Sequence, residues 1–230
     1  MKFRSEQGIL VETLGALARI ASTRNAGTPA LSGVKMTLTG DTLVLSSTDN
    51  DVAIQFVVAV GGDTDGQSLV SARTLSDIVR VMPQGKVTLE VAGDVATVSA
   101  GRSHFTIPTL NAVEFPRLTP PDGDPVTIKS TEFKRALGQV VLAASRDPQK
   151  MHLSAVLLTS TPGGLRLVAT DGYRMAMRDL AGAPGEGIDQ FLIPARALAE
   201  LQRLLDMSDE VNVRFSDVEA AFQTPSMTLS

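Results

Sequence analysis

The side chains that could carry out chemistry are few in this chain of 230 residues, and they form no recognisable catalytic set. There is no cysteine, and neither His104 nor His152 has a second histidine at metal-ligand spacing. A zinc site of the usual kind is therefore excluded. The sequence also lacks a G-x-S-x-G nucleophile elbow, a P-loop and a G-x-G-x-x-G fingerprint. We expect a binding protein without catalytic residues, bound metal or cofactor.

One segment has the composition of a binding surface. Residues 170–176 read Thr-Asp-Gly-Tyr-Arg-Met-Ala. Asp171 and Gly172 are typical of a tight turn between two strands, and such a turn needs nothing more. The adjoining Tyr173, Arg174 and Met175 are residue types that recur where proteins bind peptides. We interpret the segment as a turn that also contributes to a peptide-binding pocket.

This turn lies within an internal repeat of the sequence. Residues 31–34, Leu-Ser-Gly-Val, precede Thr48 and Asp49 by the spacing at which residues 153–156, Leu-Ser-Ala-Val, precede Thr170 and Asp171. The apolar stripes of two helices repeat as well: Leu10, Leu14, Leu17 and Ala21 match Phe133, Leu137, Val140 and Ala144, and Leu75, Ile78 and Met82 match Leu198, Leu201 and Leu205. These patterns predict an α+β fold in which each copy has two helices packed on antiparallel strands.

The two copies define the domain organisation. The first module spans 1–118 and the second spans 126–230. Residues 119–125 form a linker, because their three prolines sustain neither a helix nor a central strand. The second copy stops at Ser230, the counterpart of Ile107 in the first. We therefore expect its last strand to be cut short, as in a fragment of a longer protein.

Basic and acidic residues are distributed unevenly along the chain. The net charge is -4, yet the predicted helical segments, 5–24, 72–82, 131–150 and 195–205, together carry ten basic and six acidic residues. Arg73 and Arg80 fall on one helix face opposite the apolar stripe, Arg196 and Arg203 repeat this arrangement, and Arg146 adds to the basic set. Outward arginines are common on amphipathic helices, but their repetition favours a surface for nucleic-acid phosphates.

Several of these segments together resemble one known family. Residues 168–176, Val-Ala-Thr-Asp-Gly-Tyr-Arg-Met-Ala, follow the Leu-Ser-Ala-Val of 153–156 and a first copy that begins Met-Lys-Phe and ends Phe-Pro-Arg-Leu at 115–118. The combination resembles the β subunit of bacterial DNA polymerase III, the sliding clamp, over essentially the whole chain. The resemblance implies a tandem repeat of the DNA-clamp module. Three modules per protomer and two protomers head to tail form a ring, with two helices per module lining the inner face and antiparallel sheets outside.

The resemblance also implies a function. A sliding clamp is a processivity factor of DNA replication: its ring encircles double-stranded DNA without reading sequence, and it tethers the replicative DNA polymerase and the clamp loader through short peptide motifs. It is a non-catalytic, cytoplasmic subunit of the polymerase holoenzyme. It is a homodimer at full length, whereas we expect a monomer for this fragment, because the dimer joins the first module to the third module of another chain. No membrane span is expected, since no apolar run approaches about 18 residues.

Residue by residue, the resemblance assigns two sites. The peptide pocket uses Leu153, Thr170, Gly172, Tyr173, Arg174 and Met175. Tyr173 stands where the family often has His, and Met175 where it often has Leu, so the pocket differs in shape. Its other half belongs to the third module. Arg24 and Arg196 match positions at which the family has basic residues near DNA, which gives a DNA-facing set of Arg24, Arg73, Arg80, Arg146, Arg196 and Arg203.

Two other functions stay open at this point. One is a metal-dependent enzyme of nucleic-acid metabolism with ligands such as Asp49 and Asp171. These residues are repeat counterparts, however, so we expect them to lie apart rather than around one ion. The other is a truncated clamp paralogue that acts as a decoy for clamp partners.

Overall fold

The computed structural model describes residues 1–22, 28–119, 121, 124–147, 149–181, 190–216 and 219–230. They belong to two units, Met1–Thr119 and Pro120–Ser230. Within the described residues, each unit combines antiparallel strands with two α-helices. None of the helices described is long and apolar enough to cross a membrane.

The first unit has nine strands and two helices among its described residues. They are β1 (Lys2–Glu6), α1 (Gln7–Ile20), β2 (Gly33–Thr39), β3 (Thr42–Thr48), β4 (Ala53–Ala59), β5 (Gly61–Thr64), β6 (Gly66–Ser71), α2 (Ala72–Val81), β7 (Lys86–Ala92), β8 (Val95–Ala100) and β9 (Ser103–Leu110). The strands pair antiparallel in the orders β4-β3-β2-β6 and β9-β8-β7-β1-β5, and a short pairing at Val70 and Thr109 joins β6 to β9. Alternate side chains enter the core, as with Val34, Met36 and Leu38 of β2.

The second unit has eight strands and two helices among its described residues. They are β10 (Val126–Lys129), α3 (Ser130–Val140), β11 (Ala155–Thr161), β12 (Gly164–Thr170), β13 (Met175–Ala181), β14 (Gln190–Pro194), α4 (Ala195–Leu204), β15 (Glu210–Phe215), β16 (Ala220–Gln223) and β17 (Met227–Leu229). The strands pair antiparallel in the orders β13-β12-β11-β14 and β10-β15-β16-β17. These orders match β4-β3-β2-β6 and β1-β7-β8-β9 of the first unit. The predicted α+β tandem repeat is therefore confirmed.

The helices carry the predicted apolar stripes into each core. Leu10 on α1 and its repeat counterpart Phe133 on α3 are both buried. The Phe133 ring stacks on Phe222 of β16, with 5.9 Å between the ring centroids. This contact helps to hold α3 against the sheet that contains β16. One detail of α2 differs from the prediction: Val79 is fully buried, whereas Ile78 is only half-buried. Val79 follows the buried Leu75 by about one helical turn, so the two side chains lie on the same face of α2.

Helix α3 is shorter than predicted. It ends at Val140, and only a 3₁₀ turn follows it (Val141–Ala143). The amide of Ser145 then donates to the carbonyl of Leu153 at 2.7 Å instead of extending the helix. The prediction that Arg146 lies on a helix is therefore wrong. The Asp-Pro pair that follows it also disfavours helix, because proline restricts the residue before it.

Candidate peptide-binding site and basic helices

The candidate turn closes the hairpin between β12 and β13. Thr170 and Met175 are paired across the two strands. Between them, the carboxylate of Asp171 accepts the backbone amides of Tyr173 and Arg174 at 2.9 and 3.0 Å. The hydroxyl of Thr170 donates to the carbonyl of Arg174 at 2.7 Å. The turn is thus held by side chains of its own sequence.

Gly172 gives the turn its shape. Its φ of 93° lies in the region that favours glycine. A Cβ at this position would lie 3.9 Å from Cδ1 of Leu153, so Leu153 packs against the turn. Leu153 comes from the 3₁₀ turn Met151–Ser154, which precedes β11. Two segments that are separate in the sequence therefore meet here.

The outer side of the turn is apolar and open. Tyr173 is 94% exposed, and Met175 and Met177 at the start of β13 are exposed as well. The ammonium of Lys150 lies 5.8 Å from the centroid of the Tyr173 ring, within the range of a cation–π contact. Large apolar side chains exposed in one place are typical of an interaction surface.

Arg174 makes its contacts within the protein. Its Nε donates to Oδ2 of Asp171 at 2.9 Å, and its Nη2 donates to the backbone carbonyl of Leu142 at 2.7 Å. Leu142 belongs to the 3₁₀ turn that follows α3. These two contacts connect the hairpin turn to the end of that helix.

The same contacts keep the turn charged. The backbone N–H groups of Tyr173 and Arg174, together with the Arg174 guanidinium, hold the pKa of Asp171 below its ordinary value of 3.8. The carboxylate is therefore ionised at neutral pH and accepts its hydrogen bonds in the charged form, which strengthens them.

All six predicted pocket residues lie in one region of the second unit. They are Leu153, Thr170, Gly172, Tyr173, Arg174 and Met175. Their role in binding a ligand stays a prediction. Sequence reasoning missed two residues of this region, Lys150 and Leu142. Leu142 lies 32 positions before its partner Arg174, a separation that no local pattern signals.

The predicted DNA-facing residues are exposed wherever the structure describes them. They are Arg73 and Arg80 on α2, Arg196 and Arg203 on α4, and Arg146 in the segment after α3. Arg24 lies outside the described residues. The four α-helices of the described residues together carry seven basic and four acidic side chains, so their net charge is opposite in sign to that of the whole chain. Contact of these arginines with DNA stays a prediction.

Acidic neighbours offset part of this positive charge. On α2, Nη2 of Arg80 pairs with Oδ1 of Asp77 at 2.7 Å, and on α4, Nη1 of Arg203 pairs with Oε2 of Glu200 at 2.9 Å. The two ion pairs occupy corresponding positions of the repeat. Sequence reasoning treated the arginines as outward charge and missed both pairs, although a spacing of three residues on a helix signals them.

A metal site that combines Asp49 with Asp171 finds no support. The two aspartates belong to different units. Oδ1 of Asp49 accepts the backbone amides of Asp51 and Val52, just as Asp171 accepts amides of its own turn. Among the residues that the structure describes, no group of three histidine, cysteine or acidic side chains is placed to hold a metal ion.

Two units that share one order of strands and helices, apart from β5, form a tandem repeat of one α+β module, and this is the architecture of the DNA-clamp class. The family model for the N-terminal domain of the DNA polymerase III beta subunit matches residues 1–119, and the model for its central domain matches residues 127–229. The chain belongs to the DNA polymerase III beta subunit family. The resemblance seen in the sequence is thereby confirmed.

Similar proteins agree with this membership. The chain is 32% identical to the beta sliding clamp of Micrococcus luteus, over 93% of this chain and 69% of that protein. It is also 32% identical to the beta sliding clamp homolog GriR of Streptomyces muensis, over 94% of this chain and 58% of that one.

Solved structures give the same result. The pol III beta of Caulobacter crescentus superposes with a TM-score of 0.91 at 29% identity, covering 100% of this chain and 64% of that one. The sliding clamp of Pseudomonas aeruginosa bound to griselimycin does so with a TM-score of 0.91 at 30% identity, covering 100% and 63%. The chain thus spans 58 to 69% of the length of these four relatives.

Proposed function

We propose that this chain supplies two modules of a bacterial sliding clamp, a processivity factor that surrounds duplex DNA and tethers the replicative polymerase. The observation that carries the proposal is the match of its two halves, in order, to the N-terminal and central domains of the DNA polymerase III beta subunit. In this function the chain is a non-catalytic, cytoplasmic subunit. Its modules are 1–118 and 126–230, and 119–125 is the linker between them.

The helices provide the surface for DNA. Guanidinium groups attract phosphates whatever the base sequence, and their binding releases counterions, so affinity falls steeply as salt is raised. The arginines of α2 and α4 fit this purpose because they are exposed and repeat at corresponding positions. A clamp works by topology, so the affinity itself is low and independent of sequence.

The hairpin turn of the second unit provides the surface for protein partners. Leu153, Tyr173 and Met175 offer apolar contacts, and Gly172 lets a peptide backbone approach closely. The partners are the polymerase and the clamp loader, each with a short extended motif in which apolar residues follow a glutamine. In the family a third module completes this pocket, so the affinity of the 230-residue polypeptide for such a motif is low.

Isothermal titration calorimetry with a synthetic peptide tests the pocket. The probe has a glutamine followed by an extended segment that ends in Leu-Phe, and a scrambled peptide of the same composition is its control. We expect the chain to bind the probe more tightly than the scrambled peptide. Met175→Lys should weaken the probe's binding by about tenfold or more, since it places a charge in an apolar contact.

A matched variant separates this effect from a general effect of added charge. Val81→Lys changes an apolar residue of the first unit that is 71% exposed, close to the 69% of Met175. It should leave peptide binding unchanged. Equal binding of the two peptides, or equal losses in the two variants, would refute the pocket. Griselimycin, which the related Pseudomonas clamp binds, serves as a second probe on the same variants.

The oligomeric state of the polypeptide is tested separately. The family's ring closes between the first module of one chain and the third module of another, so we expect a monomer of 24.3 kDa in multi-angle light scattering. A stable species of twice this mass would contradict the expectation.

A further inference from the structure

The side chain of Arg174 bridges two segments of the second unit. Its Nε and Nη2 donate to Asp171 in the hairpin turn and to the carbonyl of Leu142 after α3, at 2.9 and 2.7 Å. The planar guanidinium fork makes both bonds at once, whereas the single ammonium of a lysine lacks this geometry. Arg174 therefore ties the turn to the end of the helix.

The first unit holds the corresponding turn with the same backbone hydrogen bonds but with a different anchoring side chain. Thr48 and Asp49 bind the backbone of their turn as Thr170 and Asp171 do. The residue in the place of Arg174 is Val52, which is buried in the core of the first unit. An apolar anchor thus holds one turn and a polar bridge holds the other. The bridge is particular to the turn that we assign to peptide binding.

The backbone of Leu142 is tied to this turn, because its carbonyl accepts a hydrogen bond from the guanidinium of Arg174. Leu142 is 66% exposed. Helix α3, which ends just before it, packs on β12 and β13, the two strands that the turn joins. A single exposed leucine is ordinary on a protein surface. Here the backbone of the exposed leucine is bonded to a residue of an open apolar turn, which makes its side chain a candidate for further apolar contact with a ligand of that turn.

We propose that Arg174 is a positioning residue and that Leu142 is an additional apolar contact of the peptide pocket. This inference rests on the proposed function and deepens it. Arg174 orders the turn and holds Leu142 alongside it, and the apolar end of the partner's motif packs against the Leu142 side chain. The Nε and Nη2 groups of Arg174 stay on their protein acceptors when the peptide binds.

Hydrogen exchange of the free chain tests the positioning role without any ligand. In Arg174→Lys, the amides of Tyr173 and residue 174 should exchange about tenfold faster, because a charge-assisted bond that holds the turn is lost. The amides of the first unit should not change. Arg178→Lys, a change at an exposed arginine of β13, is the matched control. Unchanged protection in Arg174→Lys would overturn the positioning role.

Calorimetry with the glutamine-containing peptide tests the contact. Leu142→Ala should weaken binding by about fivefold, and Leu142→Met should restore most of it, since methionine offers a similar apolar area. Arg174→Lys should weaken binding by a comparable factor. Adding Leu142→Ala to Arg174→Lys should bring little further loss, because the two residues act as one unit.

The outcomes separate this inference from the proposed function. Wild-type affinity in Leu142→Ala, or losses that simply add in the double variant, would overturn the inference and leave the pocket in place. If the wild-type chain binds the probe and its scrambled control equally, the pocket and the Leu142 contact both fail, while hydrogen exchange still decides the role of Arg174. Thermal unfolding midpoints of the variants should stay within about 4 °C of the wild type, which excludes general unfolding as the cause.

Discussion

Thr48 and Thr170 hold two turns in the same way. The hydroxyl of each donates to the carbonyl four positions later, at 2.9 Å to Val52 and at 2.7 Å to Arg174. Each hydroxyl also accepts the amide two positions later, at 3.0 and 3.1 Å. The turns of the two units therefore share one backbone scaffold. They differ in the side chains that this scaffold presents, and only the second presents an open apolar surface with an arginine bridge.

Removal of the two hydroxyls should have unequal costs. Thr48 is 2% exposed. Thr48→Val removes the acceptor of the Asn50 amide and one of two donors to the Val52 carbonyl, which keeps the Asp49 amide at 3.2 Å. We expect it to lower the free energy of unfolding by about 1–2 kcal/mol. Thr170 is more open to solvent, so water replaces its hydroxyl and Thr170→Val should cost less than about 1 kcal/mol. Hydrogen exchange resolved for each unit measures both losses, and a larger loss for Thr170→Val would contradict this argument.

The turn of the second unit should loosen in acid. Because the pKa of Asp171 is lowered by the amides of Tyr173 and Arg174, its ionised form stabilises the folded turn. That stabilisation is complete above the ordinary pKa of 3.8 and is lost as the pH falls through the lower pKa of the folded state. NMR amide shifts of the turn should therefore change as the pH falls below about 4.

A variant that cannot titrate provides the control for this pH effect. Asp171→Asn keeps an oxygen that accepts the two amides but carries no charge, so its turn should give pH-independent amide shifts over the same range. If the wild-type shifts are equally constant, Asp171 does not hold the turn in the way described.

The repeat made most of the fold predictable from the sequence. Its periodic apolar positions placed Leu10 and Phe133 on corresponding helical stripes, and both are buried, because such periodicity reports burial directly. Apolar periodicity did not predict where α3 ends. The helix stops where the Ser145 amide bonds to the Leu153 carbonyl, and a bond between separate segments leaves no trace in helical periodicity.

The candidate site was also predictable only in part. The turn residues are consecutive, and their types alone indicate a turn, so Asp171 and Gly172 could be located from the sequence. The bridge from Arg174 to Leu142 depends on how α3 packs on the sheet, and it uses a backbone carbonyl, which every residue possesses. Residue identity therefore could not reveal it.

Equivalent core residues should contribute equally to the two units. Leu14 on α1 and its counterpart Leu137 on α3 are both almost completely buried. Leu14→Ala and Leu137→Ala should each lower the free energy of unfolding of their own unit by about 2–5 kcal/mol, because each removes buried methyl groups and leaves a cavity. Denaturant unfolding followed by unit-resolved hydrogen exchange measures the two losses. Glu12→Ala, an exposed change on α1, is the control, and a loss below about 1 kcal/mol at either leucine would contradict the equivalence.

The ion pair of Asp77 with Arg80 should restrain the binding of duplex DNA. Asp77→Asn removes the carboxylate that offsets Arg80 on α2, so it should tighten binding and steepen the salt dependence by up to about one further phosphate contact. Fluorescence anisotropy with two duplexes of unrelated sequence, each measured over a salt series, gives affinity and slope, and the effect should be the same for both. Asp179→Asn is the matched control, because it makes the same change in net charge. The side chain of Asp179 is 53% exposed, against 56% for Asp77, and is likewise paired with an arginine. Asp179 lies on β13 rather than on a helix. Equal gains in the two variants would show that net charge alone governs binding and would remove the helices from the proposed DNA surface.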